Sequence, residues 1–250
     1  MANPAIKGPG MLYVTSRISR KDILSEEVFM KWYDEDHIAE IVETDGIPSA
    51  YRYIDTDKNA SKPYLAFYPM PDLAFTQGPE FKNFRVKSDI LPGSGICFDL
   101  ADIDVRYYGL TGESGTRKGE EHTSTQTQTP SNFEPSAGTT DEAVEEWYKS
   151  DHQEMISKLP GYHRSTYYKL LYARTNAQSR ALKGLPTTEE APPEPPTLQA
   201  IHEFDRVVQL DELKQMQETP AAKKILANAK QVEMVVYRWA KSHGDKKFFD

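Results

Sequence analysis

The hexapeptide Trp-Tyr-Asp-Glu-Asp-His at Trp32–His37 occurs in a second version, Trp-Tyr-Lys-Ser-Asp-His, at Trp147–His152. The copies start 115 positions apart (147 − 32), and seven of the 22 positions from 32 to 53 are identical at this offset. Unrelated segments of average composition would share about one or two. The matches beyond the hexapeptide are Ile41 with Ile156, Gly46 with Gly161 and Tyr53 with Tyr168. We therefore predict an internal duplication into two fused small domains, since so long a unit does not suit a solenoid array.

Composition and charge narrow the class of protein. The 250 residues carry a formal net charge of −8, which disfavours nucleic acids and anionic membranes as partners because both require a basic face. Cys97 is the single cysteine, so an intramolecular disulfide and a cysteine cage for a metal are excluded. The sequence shows no signal-peptide pattern, no apolar run of membrane-spanning length and no phosphate-loop or nucleophile-elbow motif. We expect a cytoplasmic enzyme or binding protein without a metal.

A long helix carries each copy of the hexapeptide. Ser25 is placed as the N-cap of the first, which is predicted to run to Thr44, where Gly46 and Pro48 end it. Its stripe at i, i+4 spacing, on the buried or cleft-facing side, consists of Phe29, Tyr33, His37 and Ile41. The second helix is predicted at 141–158, and its stripe consists of Val144, Tyr148, His152 and Ile156.

Apolar and β-branched runs predict the strands. In the first half they are expected at 11–15, 50–54, 64–68 and 103–108, with a further helix at 72–88. In the second half they are expected at 122–129, 162–172, 198–204 and 232–239, with a helix at 210–227 broken near Pro220. Residues 109–120 are expected to be a linker, and 175–196 a long proline-rich loop that could act as a lid. The order β-α-β-β-α-β is the ferredoxin-like pattern, which predicts an α+β protein with domains at 10–112 and 113–243.

The helix motif Trp-Tyr-x-x-Asp-His, the glycine after it and the tyrosine-bearing strand, each present twice, resemble the fungal EthD-like dimeric α+β barrel proteins. The resemblance covers most of the chain, residues 10–110 and 120–240. It implies that each ferredoxin-like unit packs its sheet against a second unit, so that a tandem copy builds the barrel within one chain. It also implies a cofactor-independent enzyme of phenolic or polyketide metabolism. The one family role that carries over is that of the helix histidine, as an acid/base, onto His37.

An imidazole that titrates near neutrality can take and return a proton, the minimum for enolisation, ring closure or phenol activation. We predict His37, Tyr33 and Tyr53 as catalytic residues. Aromatic walls with a few polar ends suit a flat phenolic ligand. The predicted substrate-binding residues are Phe29, Ile41, Tyr51, Tyr64, Tyr68, His152 and His202. A histidine on a helix stripe is also commonly a satisfied core residue, and tyrosines can serve packing alone.

The second copy departs from the first at polar helix positions, where Lys149 and Ser150 replace Asp34 and Glu35. This puts a second working site in doubt. The preferred function is a cofactor-independent isomerase or cyclase acting on a phenolic polyketide- or flavonoid-like (chalcone-type) small molecule. A decarboxylase or other lyase with the same residues and a non-catalytic small-molecule-binding barrel are the alternatives. We expect a monomer with an internal pseudo-dimer, or a homodimer of such chains.

Overall fold

An antiparallel barrel of eight strands forms the centre of the part of the chain that the structure, a computed structural model, describes: residues 6–115 and 127–245. Residues 122–126 of the predicted Thr-rich strand lie outside these ranges. The strands are β1 (Gly10–Ile18), β2 (Ser49–Asp55), β3 (Tyr64–Met70), β4 (Ala101–Gly115), β5 (Thr127–Pro135), β6 (Tyr162–Arg174), β7 (Leu198–Phe204), β8 (Ala229–Met234) and β9 (Tyr237–Gly244). They pair in the order β7-β6-β4-β1-β3-β2-β9-β5, and β5 pairs with β7 to close the ring, while β8 adds to β5.

The same strand order occurs in both halves. It is β4-β1-β3-β2 in the first half and β9-β5-β7-β6 in the second. The last strand of each half also crosses to the other half, because β4 pairs with both β1 and β6, and β9 with both β5 and β2. The prediction of a linker at 109–120 is therefore wrong for residues 109–115, which the structure describes as part of β4. β4 continues to Gly115 because its far end has a pairing partner in β6.

Helical segments cover the outside of the barrel. They are α1 (Glu26–Trp32), α2 (Ile38–Val42), α3 (Pro79–Lys82), α4 (Cys97–Leu100), α5 (Asp141–Trp147), α6 (Gln153–Ile156), α7 (Asn176–Leu182), α8 (Leu210–Gln215) and α9 (Pro220–Leu226). The predicted N-cap is confirmed, since Ser25 Oγ accepts a hydrogen bond from the Val28 N–H at 3.2 Å. A π-helical turn at Tyr33–His37 joins α1 to α2, and another at Tyr148–His152 joins α5 to α6. No helix within the described ranges is long and apolar enough to cross a membrane.

Side-chain alternation divides the sheet between two cores. One set of side chains fills the barrel interior, where both halves meet; it includes Met11, Tyr13, Tyr51, Tyr53, Phe67, Tyr108 and Tyr168. The opposite set in the first half faces the helices and includes Leu12, Val14, Ala66, Tyr68 and Val105. Cross-strand partners confirm the division, because Tyr51 pairs with Phe67 and Leu12 with Tyr68.

Two expected elements are corrected. The helix predicted at 72–88 is only a 3₁₀ turn (Leu73–Gln77) followed by α3, because Gly78 breaks the first segment and Pro79 starts the second at its N-terminal position. The loop expected at 175–196 contains α7. Thr175 and Gln178 form a capping box at its start, in which the side chain of each residue bonds to the backbone of the other. The many prolines of the segment led the sequence analysis to predict a loop instead.

Candidate functional site

A cavity of about 430 Å³ opens on the helix side of the first half. Its walls come from α1, α2 and the π-helical turn, from the outer face of β1, β3 and β4, and from the segment around α3. The end of β6 and α7 complete it, so the second half of the chain contributes to this wall. The aromatic part includes Trp32, Tyr33, Tyr68, Phe81, Phe84 and Tyr107. Such a wall suits a flat ligand.

The π-helical turn places His37 in this wall. The backbone N–H of Ile38 donates to the Tyr33 carbonyl five residues back, so residues five apart lie over one another. The His37 ring consequently stacks on Trp32, with ring centres 4.9 Å apart and planes at 18°, and meets Tyr33 edge-on at 5.7 Å. Its Nδ1 is buried and has no hydrogen-bond partner among the described residues. A buried nitrogen without a hydrogen-bond partner is uncommon in folded proteins, and it marks His37 as a candidate for function.

Burial lowers the pKa of His37 to about 4. The carboxylate of Asp36 opposes this, whereas the charges of Lys183 and Arg85 add to it. The imidazole is therefore neutral at pH 7, and its pKa lies below the near-neutral range expected from the sequence. The neutral ring keeps one nitrogen lone pair that can accept a proton.

Two tyrosine hydroxyls in the same wall remain protonated. Burial raises the pKa of Tyr33 to about 12 and raises the pKa of Tyr68 well above its ordinary value. Both groups are therefore hydrogen-bond donors throughout the neutral pH range.

Four cations line the cavity, of which Lys82 is exposed and the other three lie in different environments. Arg85 contacts the carboxylates of Asp36 and Glu40, at 2.7 and 3.3 Å. Lys183 Nζ donates to the backbone carbonyls of Lys82 and Phe84, at 2.5 and 2.8 Å.

The fourth cation is Arg174. Its Nη1 donates to the hydroxyl of Tyr107 at 2.7 Å. None of the described residues that line the cavity is Asp or Glu.

The second copy of the motif is closed. His152 Nε2 lies 3.1 Å from His202 Nε2, and His202 Nδ1 lies 2.8 Å from Ser165 Oγ. Leu213 and Met216 pack against the pair and leave no volume for a ligand. Burial lowers the pKa of His152 to about 4. Burial also lowers the pKa of His202 well below its ordinary value, with a contribution from the charge of His152.

The strand registers show why the two halves differ. In the first half Leu12 pairs with Tyr68, and at the equivalent position of the second half Thr129 pairs with His202. His202 thus replaces a tyrosine of the open cavity and reaches the helix histidine directly. His152 and His202, both predicted as substrate-binding residues, are 50 positions apart in sequence and contact each other in the structure. They lie away from His37.

The other predicted site residues separate into three groups. Tyr33, Ile41 and Tyr68 line the cavity with His37. Phe29 and Tyr64 belong to the adjoining core, where their rings contact each other at 5.5 Å. Tyr51 and Tyr53 lie on the opposite face of the sheet, in the barrel interior, because β2 presents both residues to that side.

Sequence reasoning missed Arg174, Lys183 and Tyr107 as cavity residues. Arg174 and Lys183 flank α7, in a segment whose sequence predicted only a loop with a lid role. The internal duplication could not predict them, because the first half has no helix at the position that corresponds to α7. Their place depends on how the two halves pack.

No protein-family model matches the chain. The Core atranone cluster (CAC) protein 1 of Stachybotrys chlorohalonatus is 23% identical over 210 residues, which cover 80% of this chain and 83% of that protein. The solved structure of an anthrone oxidase-like protein matches with a TM-score of 0.56 and 14% identity, over 94% of this chain and 93% of the other. A chlorite dismutase variant from Candidatus Nitrospira defluvii matches with a TM-score of 0.54 and 9% identity, over 95% and 92%. The chain therefore has the fold of the dimeric α+β barrel proteins.

Proposed function

We propose that the chain is a cofactor-independent enzyme that moves protons on a flat phenolic, polyketide- or chalcone-like molecule, as an isomerase or cyclase. One observation carries this proposal: the neutral His37 imidazole lies in the wall of an open aromatic cavity, with a buried nitrogen that no described protein group satisfies. The same histidine of the second copy is sealed against His202. The proposal therefore assigns one active site to each chain.

We further propose that the barrel arose from two tandem ferredoxin-like units, at 10–112 and 113–243, in the manner of EthD-like proteins. The strand order β4-β1-β3-β2 and its counterpart β9-β5-β7-β6 support this, as does the repeated π-helical turn. Because each last strand already crosses to the other half, the chain supplies both halves of a dimeric barrel by itself. We expect a monomer in solution, which light scattering of the purified protein tests.

In the proposed reaction, neutral His37 removes a proton from a phenol or from a carbon next to a ketone. Tyr33 and Tyr68 donate hydrogen bonds to the oxygen on which negative charge develops. For a chalcone-type ketone, the phenolate oxygen forms a bond with the β-carbon of the enone, and the electron pair of the C=C bond moves to give an enolate. Protonated His37 then returns its proton to the α-carbon. The product is an isomer of the substrate, so no oxidant or co-substrate is needed.

A second candidate is oxygenation of an anthrone. Structures of an anthrone oxidase-like protein and of a proposed monooxygenase from Fusobacterium nucleatum share the fold, the latter with a TM-score of 0.55 and 11% identity. His37 would again form a carbanion, which reduces O₂. The ring CH₂ becomes a C=O group, and the second oxygen atom leaves as water with the two hydrogens. The atranone-cluster relative supports a secondary metabolite for either candidate.

Mass analysis of products separates these candidates. The purified protein is incubated with phenolic chalcones, anthrones and aromatic polyketide acids, with and without air. Isomerisation gives a product of unchanged mass without air, and in D₂O it incorporates deuterium. Oxygenation requires air and adds one oxygen while removing two hydrogens, and decarboxylation loses CO₂. Ligand binding without any product would favour the non-catalytic barrel and contradict the proposal.

A further inference from the structure

The cavity has a charge that its own protein groups do not balance. Lys183 and Arg174 both line it, and neither makes an ion pair with a carboxylate among the described residues. Arg85 differs, since Asp36 and Glu40 hold its guanidinium. Among the described residues, the polar contacts of Lys183 and Arg174 are therefore all to neutral oxygens.

Each of these cations retains donor capacity. The Lys183 ammonium has three N–H groups, two of which are used by the carbonyls of Lys82 and Phe84. The Arg174 guanidinium uses Nη1 for Tyr107, while its Nε is buried without a hydrogen-bond partner among the described residues. A buried donor that lacks an acceptor is costly, and a charged one more so.

The two charges also act on each other and on His37. Repulsion by Arg174, after burial, lowers the pKa of Lys183, and Lys183 in turn disfavours the protonated form of His37. Glu40 attracts Lys183, but its carboxylate is held by Arg85. The potential in this part of the cavity is thus positive in a chain of net charge −8.

We infer that the cavity binds an aromatic ligand through an oxyanion, a carboxylate or an ionised phenol, held by Lys183 and Arg174. The aromatic body lies between the rings of the first half, and the negative group lies towards α7 of the second half. This inference names the substrate class for the proposed function and rests on the same cavity. It also gives the second half a role. Its own histidine site is closed, but it supplies both cations, Arg174 from the end of β6 and Lys183 from the end of α7.

Equilibrium binding tests the inference without turnover. The probes are anthracene-2-carboxylate and anthracene-2-carboxamide, which share shape and fluorescence but differ in charge. We expect the wild-type protein to bind the carboxylate at least tenfold more tightly. The phenol arm uses 4-nitrophenol, whose absorbance reports ionisation, and binding should lower its apparent pKa. Tighter binding of the carboxylate shows that a carboxylate is held, and a lowered pKa of 4-nitrophenol shows that an ionised phenol is held. Equal affinity for the two anthracene probes together with an unchanged pKa of 4-nitrophenol overturns the inference.

Single substitutions show which side chains cause the preference for the carboxylate probe. Lys183→Met and Arg174→Met should each remove most of the carboxylate preference, whereas Lys183→Arg should keep it. Lys31→Met is the matched control, since it removes one positive charge from the exposed side of α1, where Lys31 faces Glu35 at 3.8 Å. Equal losses in Lys31→Met and Lys183→Met would contradict the assignment. If a cavity variant does not fold, the wild-type comparison still decides the inference.

His37→Gln separates the two proposals. It should abolish turnover but leave the carboxylate preference in place. Turnover that depends on His37, combined with equal affinity for both anthracene probes, would leave the proposed function standing and remove the anionic ligand. The reverse result would keep the anion site and remove the catalytic histidine.

Discussion

His152 and His202 share a contact of 3.1 Å between their Nε2 atoms in the second half of the chain, and both rings are buried. Such a contact needs one N–H donor and one lone pair, so both rings cannot be protonated at once. The equivalent histidine of the first half, His37, has no such partner and faces an open cavity. A duplicated motif thus serves a closed core in one half and a candidate site in the other.

This relationship predicts acid sensitivity. The folded pKa of His152 is about 4, below the ordinary value of 6.5, so the unfolded chain binds more protons in this interval. The contribution of this histidine to the free energy of unfolding is fully present above pH 6.5 and is lost as the pH falls towards 4. We expect the free energy of unfolding to fall by at least about 2 kcal/mol between pH 7 and about pH 5. Urea titrations at several pH values measure it.

Variants identify the groups responsible. His202→Gln removes one titrating ring and should flatten the pH dependence, whatever its effect on absolute stability. His163→Gln is the control, because that ring lies near Asp205, at 3.7 Å, and outside the buried pair. An equally steep pH dependence in His202→Gln and the wild-type protein would show that the pair does not titrate as described.

Among the carboxylates of the first helix, Asp34 should be the one whose replacement destabilises the protein most. It pairs with Arg52 at 2.7 Å and with His243 of β9 at 3.0 Å, and the side chains of Asp34 and Arg52 are 13% and 9% exposed. Asp34→Asn leaves the buried guanidinium without its counter-charge and should cost about 3 kcal/mol. Glu35→Gln, beside an exposed lysine, should change stability by less than about 0.5 kcal/mol. Thermal and urea unfolding compare the two, and similar costs would contradict the account.

The matched glycines Gly46 and Gly161 are required for different reasons. A Cβ at Gly46 would lie 2.2 Å from the Phe75 ring, whereas Gly161 has φ of 75° and approaches Asp205. Gly46→Ala should displace Phe75 and cost about 1–3 kcal/mol by overpacking. Gly138→Ala is the control, because its nearest neighbour would be 3.8 Å away. If the two alanine variants unfold at the same denaturant concentration, the close approach of Phe75 does not hold.

Cys97 lines the cavity but should take no part in chemistry. Cys97 is 3% exposed, and burial raises the pKa of its thiol to about 12, so almost no thiolate exists at neutral pH. We expect slow alkylation by iodoacetamide in the native protein, rapid alkylation after unfolding, and full turnover in Cys97→Ser. Loss of turnover in a folded Cys97→Ser protein would contradict this.

The sequence predicted the elements that local signals specify. The Ser25 cap and the strand at Leu198–Phe204 follow from residue types within a few positions. The π-helical turns gave no local signal, although the Trp-to-His spacing of five in both copies is consistent with them. The faces of the tyrosines were not predictable either. Tyr51 and Tyr68 lie on neighbouring strands with equally aromatic patterns, and only the pairing register assigns them to opposite sides.

Local pattern also groups some of the residues that line the candidate cavity. His37, Tyr33 and Ile41 share one helix stripe, so periodicity alone groups them. Lys183 and Arg174 reach the cavity through long-range packing of the second half, which one sequence without coordinates does not encode in any local pattern. The pairing of His152 with His202 likewise depends on a strand contact between residues 50 positions apart.

Turnover by His37→Gln and His152→Gln on the same phenolic substrate at pH 7 shows which of the two matched histidines acts as the acid/base. Both variants exchange a helix histidine at matched positions, and circular dichroism checks that each is folded. We predict that His37→Gln loses at least a hundredfold in kcat while His152→Gln, per folded molecule, retains the wild-type kcat. Wild-type turnover by a folded His37→Gln protein, or equal losses in both variants, would contradict the assignment of His37 as the acid/base in a single open site.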